Sequence, residues 1–63
     1  MKDKFVYKGF HGSIQFSEAD NVYFGKIENI NDLITFEGEN LIELEDAFKN
    51  AVEDYIKDYP PIS

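Results

Sequence analysis

Residues 40–61 read NLIELEDAFKNAVEDYIKDYPP, and this stretch decides the fold. At about 100° per residue, Leu41, Leu44, Phe48, Ala51, Val52, Tyr55 and Tyr59 fall within an arc of about 100°, as they do on a helix with one apolar face. Asn40 suits the N-cap, with Glu43 three residues on as a variant capping box. Glu39, Glu43, Glu45 and Asp46 place negative charge near the positive end of the helix dipole. Glu45 with Lys49, and Glu53 with Lys57, are i,i+4 pairs in the favourable order. Pro60-Pro61 cannot continue a helix. The pattern predicts a helix over 41–58, ~27 Å long by the rise per residue. Ile42 and Ile56 project away from the centre of the apolar stripe, where they either widen the core contact or face a partner.

A helix with one apolar face needs a surface to cover, and the residues before it supply one. Lys4-Phe5-Val6-Tyr7-Lys8-Gly9-Phe10 is dense in aromatic and β-branched types, which fit a pleated surface better than a helix. Gly12-Ser13-Ile14-Gln15-Phe16-Ser17 alternates at period two, with Ile14 and Phe16 on one face. Glu18-Ala19-Asp20-Asn21 supplies turn formers, and Val22-Tyr23-Phe24-Gly25-Lys26-Ile27 resumes the β pattern, so these two runs should form a hairpin. Gly9 and Gly12 mark a turn or bulge between the first two runs. Residues 28–32 read as a loop, and 33–37 as a short extended piece before Gly38. The expected class is α+β: a three-stranded antiparallel meander over about 4–10, 12–18 and 22–28, covered by one C-terminal helix over about 41–58.

Length and composition set the outer bounds. Sixty-three residues allow one domain, 1–63, with a thin stability margin. The 43% hydrophobic content, with six Phe and four Tyr, belongs to a folded chain. Without cysteine there is no disulfide framework and no thiolate metal site, which favours a cytoplasmic location. No uncharged stretch approaches the ~20 apolar residues of a membrane span, so no membrane association is expected. The formal net charge of −7, with lysine the only cation besides the terminus, repels nucleic-acid phosphate and attracts basic partners.

Catalytic motifs are missing from the pattern. His11 is the sole histidine and has no nucleophile at an assignable spacing, so it reads as a turn or surface residue. The carboxylates are scattered through turns and the outer helix face, without the spacing of a metal loop. Gly38 before the helix lies between Glu37 and Glu39, whose charges would repel a phosphate. The reading is of a chain with no catalytic residues, no metal and no cofactor.

Taken in order, these features resemble a family. Tyr7-Lys8-Gly9-Phe10 leads into Gly12-Ser13-Ile14-Gln15-Phe16-Ser17, then Asp20-Asn21-Val22-Tyr23-Phe24-Gly25-Lys26-Ile27. Ile30-Asn31-Asp32-Leu33-Ile34-Thr35-Phe36-Glu37-Gly38 follows, closing onto a helix with Leu44-Glu45-Asp46-Ala47-Phe48 and Ala51-Val52-Glu53-Asp54-Tyr55-Ile56. Over nearly its whole length the sequence is similar to the N-terminal domain of HicB-type antitoxins, the partners of small HicA ribonuclease toxins. The resemblance implies a partial ribonuclease-H-like fold without nuclease activity, which binds a basic toxin, occludes its catalytic histidine and blocks its RNA surface. Family members usually continue into a DNA-binding segment; this sequence stops at Ser63, so that segment is expected to be absent.

The expected function is therefore neutralisation of a small basic HicA-like toxin by binding, without direct contact to nucleic acid. Glu18, Asp20, Glu37 and Glu39, at element ends, are the expected carboxylate contacts, with Ile42 and Ile56 as apolar ones. The alternatives are an acidic interaction or nucleic-acid-mimic domain, a homodimer built by edge pairing, and a metal-dependent ribonuclease-H-like nuclease.

Overall fold

The computed structural model of the chain describes residues 4–58. In chain order the elements are β1 (Lys4–Tyr7), β2 (Phe10–Ser13), β3 (Gln15–Ser17), β4 (Val22–Glu28), β5 (Thr35–Gly38) and α1 (Leu41–Asp58). The class is α+β, an antiparallel sheet of five strands with one C-terminal helix. The helix has the expected bounds. Tyr59 and the Pro60-Pro61 stop lie outside the described residues.

The first hairpin corrects one expectation. Tyr7 pairs with Phe10, leaving Lys8 and Gly9 as a two-residue turn in which φ is 53° and 82°. Positive φ at both central positions is the type I′ requirement, which glycine meets without strain. The expected strand over 4–10 therefore ends at Tyr7, and Gly12 lies within β2 instead of marking a turn.

β2 and β3 are two lengths of one strand line. His11 faces Glu28 and Gln15 faces Phe24, which is a single continuous register along β4. The ladder is interrupted at Ser13-Ile14, where the Lys26 N–H donates to Ser13 Oγ at 3.0 Å. There the Ser13 carbonyl oxygen sits so close to Gly25 that any Cβ at position 25 would collide with it. In place of the three strands expected, the sheet is a meander of four strand positions, β1, β2 with β3, β4 and β5, in which the expected strand over 12–18 starts at Phe10 and is broken after Ser13. The piece over 33–37 proves to be a full partner of β4, with Phe36 opposite Gly25 and Glu37 opposite Phe24.

Alternation places Phe5, Gly12, Ile27 and Phe36 on one face of the sheet, and α1 lies across it. Phe5, Ile27 and Phe36 from the sheet are buried with Leu44, Phe48 and Val52, spaced by four along the helix. Phe48 is the centre of this core: it stacks on Phe5 at 5.6 Å between centroids and tilts against Phe36 at 5.3 Å. Its ring lies directly on Gly12, where only a glycine leaves room. The helix starts beside Gly38 and ends near Tyr7 and Phe10, so it crosses the sheet diagonally. That diagonal gives the molecule two unlike ends.

Candidate partner-binding site

At the amino end of α1, three separate segments meet. The β3–β4 turn brings Asp20, the end of β5 brings Glu37, and the approach to the helix brings Glu39. Together with Asn21, Val22, Gly38 and Glu43 they line an open cleft of about 460 Å³. Four acidic residues are among its lining residues and, among the described residues, no lysine is. A larger cleft, about 540 Å³, lies at the opposite sheet corner, but there Lys4 and Lys26 offset Glu28 and Asp32. Only the first cleft has charge of one sign.

Local chemistry builds this arrangement. Asn40 Oδ1 accepts the Glu43 N–H at 2.8 Å, and the Asn40 carbonyl accepts the Leu44 N–H at 2.9 Å, which starts the helix. Glu43 Oε1 reaches back to accept the Glu39 N–H at 3.1 Å, one residue before the cap itself. Gly38 packs against the backbone of Glu43 and Leu44, which draws β5 and the first helical turn together. Across the cleft, Ser17 Oγ accepts the Asp20 N–H at 3.3 Å and Asn21 adopts φ 58°, closing the turn as its residue types suggest.

Three of the exposed apolar side chains lie at the same end, while Leu33 lies at the other cleft and Val6 on β1. Phe16 pairs with Tyr23, which faces Gly38, so Phe16 lies on the helix side of the sheet where the helix begins. It is 46% exposed and packs on Tyr23 at 4.8 Å between centroids. Leu41 is 49% and Ile42 76% exposed in the first helical turn. Acids around exposed apolar side chains suit contact with a basic protein surface.

The carboxyl end of the helix is different, because its charges are used internally. Glu53 Oε2 accepts the Tyr7 hydroxyl at 2.6 Å and pairs with Lys8 Nζ at 2.9 Å. Lys8 and Lys49 stand over the Tyr7 ring at 5.4 and 5.6 Å from its centroid. The Tyr7 hydroxyl, and then Lys8, hold the Glu53 carboxyl below the usual carboxylate range. The same hydrogen bond to Glu53 raises the Tyr7 hydroxyl, and the bond from Lys8 to Glu53 raises the Lys8 ammonium. Glu53 is thus engaged by the hairpin in place of Lys57, whereas the Glu45–Lys49 pair forms at 3.8 Å.

Of the residues singled out in the sequence, Asp20, Glu37 and Glu39 converge on the acidic cleft. Glu18 is exposed in the adjoining turn and is not part of its lining. Ile42 is strongly exposed, while Ile56 is half-buried against the core, so the two off-stripe isoleucines have different surroundings. Glu43 joins the cleft although it was legible only as a capping residue; its position three after the cap was the available signal. Phe16 was placed on the same face as Ile14, and its exposure follows from the helix passing diagonally. His11 lies within β2, between Val6 and Glu28, and not at a turn.

Among the described residues, no group of three or more His, Cys, Asp or Glu side chains is placed to hold a metal ion. No described helix is long and apolar enough to cross a membrane. Comparison with protein-family models, with curated proteins and with solved structures returns no match for this chain.

Proposed function

We propose that this chain is a HicB-like antitoxin domain with a partial ribonuclease-H-like fold, acting in the cytoplasm without catalysis of its own. It binds a small basic HicA-type ribonuclease and neutralises it by covering its RNA-binding surface. The observation that carries this reading is the convergence of Asp20, Glu37, Glu39 and Glu43 on one cleft free of lysine, beside the exposed Phe16, Leu41 and Ile42. The remaining support is the order of sequence features quoted above and the net charge of −7, which steers a basic protein towards the domain. The acids supply encounter rate and orientation, and the apolar groups supply affinity.

The test is to co-express the chain with the small protein encoded beside its gene, to look for a complex by native mass spectrometry, and to assay RNA cleavage by that neighbour. A defined complex in which cleavage is silenced is the expected outcome. A neighbour that forms no complex at moderate salt, or that cleaves RNA equally well in the presence of the chain, would remove the antitoxin reading.

A further inference from the structure

Among the described residues β5 pairs only with β4, which makes it an edge strand, and its backbone alternation follows from the register. The Ile27 N–H donates to the Ile34 carbonyl at 2.9 Å, so Phe36, two residues on, is the next residue whose N–H and C=O turn inward to β4. Thr35 and Glu37 therefore direct their N–H and C=O groups outward, away from the sheet. Both residues are exposed. An edge of this kind is a template for another strand unless something guards it.

The side chains around the edge decide what it accepts. Lys49 and Glu53 lie over β1, so the opposite flank of α1, with the small residues Ala47 and Ala51, lies on the β5 side. An added strand would place alternate side chains towards that flank and the others beside Thr35 and Glu37 on the open face. Glu37, Glu39 and Glu43 surround the end of the edge, with Asp20 across the cleft. A second copy is a poor occupant: two-fold pairing would set Glu37 near its own counterpart and bring two chains of charge −7 together. Lys26 stands opposite Thr35 on the open face, so the complementary charge lies at the Glu37 end, where a lysine or arginine of an extended segment meets Glu37, Glu39 and Glu43.

We propose that the outer edge of β5 is a β-augmentation site for a basic, extended segment of a partner protein, pinned by the backbone groups of Thr35 and Glu37. This rests on the reading above that the partner is basic, and it adds how that partner is gripped. The mode gives affinity through main-chain hydrogen bonds and selectivity through the alternating side chains.

The probe is a fluorescein-labelled synthetic peptide alternating Lys and Val, with an alternating Glu and Val peptide as control. Titration into the full chain should give saturable, salt-sensitive binding of the Lys peptide only. In amide spectra the Thr35 and Glu37 N–H signals should shift most. Chemical synthesis of the whole chain with an N-methyl group on Glu37 removes an outward donor and should abolish binding while the amide signals of Gly25 and Phe36 persist. Glu37→Lys provides a second variant and should weaken binding at least about tenfold. The proposal is overturned if the Thr35 and Glu37 amides do not move, if the N-methylated chain binds as well as the parent, or if sedimentation shows a dimer that the Glu37 N-methyl group dissociates. No ribonuclease enters this experiment, so it fails independently of the antitoxin reading.

Discussion

The two ends of α1 are made from the same residue types, yet they do opposite things. At the carboxyl end, Glu53 is engaged by Tyr7, 46 residues away in sequence, and by its neighbour Lys8, and Lys49 covers the same tyrosine ring. Charge is used there to fasten the β1–β2 turn to the helix. At the amino end, Asp20, Glu37, Glu39 and Glu43 face one cleft with no lysine among its lining residues, and hydrophobic side chains beside it stay exposed. Two of these acids take part in local capping, and among the described residues no lysine lines the cleft. A carboxylate's type and exposure do not reveal its role; whether the fold brings a cation to it does.

The largest expected effect breaks both ends together, because they share one core. A chain of this length has roughly 3 to 9 kcal/mol of stability by per-residue scaling. Phe48→Ala removes the ring that Phe5 and Phe36 pack on, at a cost of about 3 to 5 kcal/mol, enough to unfold much of the population at 25 °C. Gly25→Ala should be of the same order, since its Cβ meets a carbonyl oxygen and not a movable side chain. Chemical denaturation monitored by circular dichroism reads both, and a native-like midpoint in either variant would contradict the packing described.

Next in size is a change that separates the ends. Charge reversal by Glu37→Lys with Glu39→Lys should leave the thermal midpoint nearly unchanged, but weaken binding of the proposed basic partner about tenfold or more and flatten its salt dependence. Equal affinity in parent and variant, measured by calorimetry across salt concentrations, would take these residues out of the interface.

The stapled end should respond in the opposite sense. Glu53→Gln is expected to lower the melting temperature by a few degrees without changing partner affinity. The pH dependence follows from the directions of the shifts. Glu53 is held low in the folded state, so its contribution is present above the ordinary carboxylate value of about 4.3 and is lost as pH falls through the folded value below it. Tyr7 and Lys8 are held high, so their contributions are present below ordinary values of roughly 10 and are lost as pH rises through the raised ones. A melting-temperature profile that is identical in parent and Glu53→Gln at both extremes would show that the staple carries no stability.

The smallest effect on folding is expected at Ile42. Ile42→Ser changes an exposed side chain and should alter stability by no more than about 0.5 kcal/mol, while reducing affinity for the basic partner. Reduced stability with unaltered binding would assign Ile42 to the fold.

The same contrast explains what was legible in the sequence. The helix could be read to its bounds because its cap, its periodicity and its pairs are all encoded within one or two turns. The hairpin through Glu18-Ala19-Asp20-Asn21 was legible for the same reason. The Lys8-Gly9 turn was displaced in the reading because Gly12 looked like punctuation, whereas it is the flat spot under Phe48, a contact between residues 36 apart in sequence. β5 lacked a visible partner because its pairing with β4 spans a loop without a turn signature. Glu53 with Lys57 was the local expectation, and a tyrosine and a lysine from the far end of the chain displaced it. In the site, Asp20, Glu37 and Glu39 were identifiable as element-end carboxylates, but their convergence depends on the β4–β5 register, which no local pattern encodes. Ile42 and Ile56 could not be told apart in the sequence because the diagonal of the helix, set by non-local packing, leaves Ile42 open and partly buries Ile56 against the core.

The most direct test of the account is amide chemical-shift mapping of the full chain, titrated with the small basic protein proposed as its partner. The account predicts that the largest changes fall at the amino end of α1, on residues 20, 35–43 and Phe16, with the Tyr7–Lys8–Glu53 end unmoved. Changes confined to the stapled end, or an unperturbed spectrum at stoichiometric partner, would contradict it.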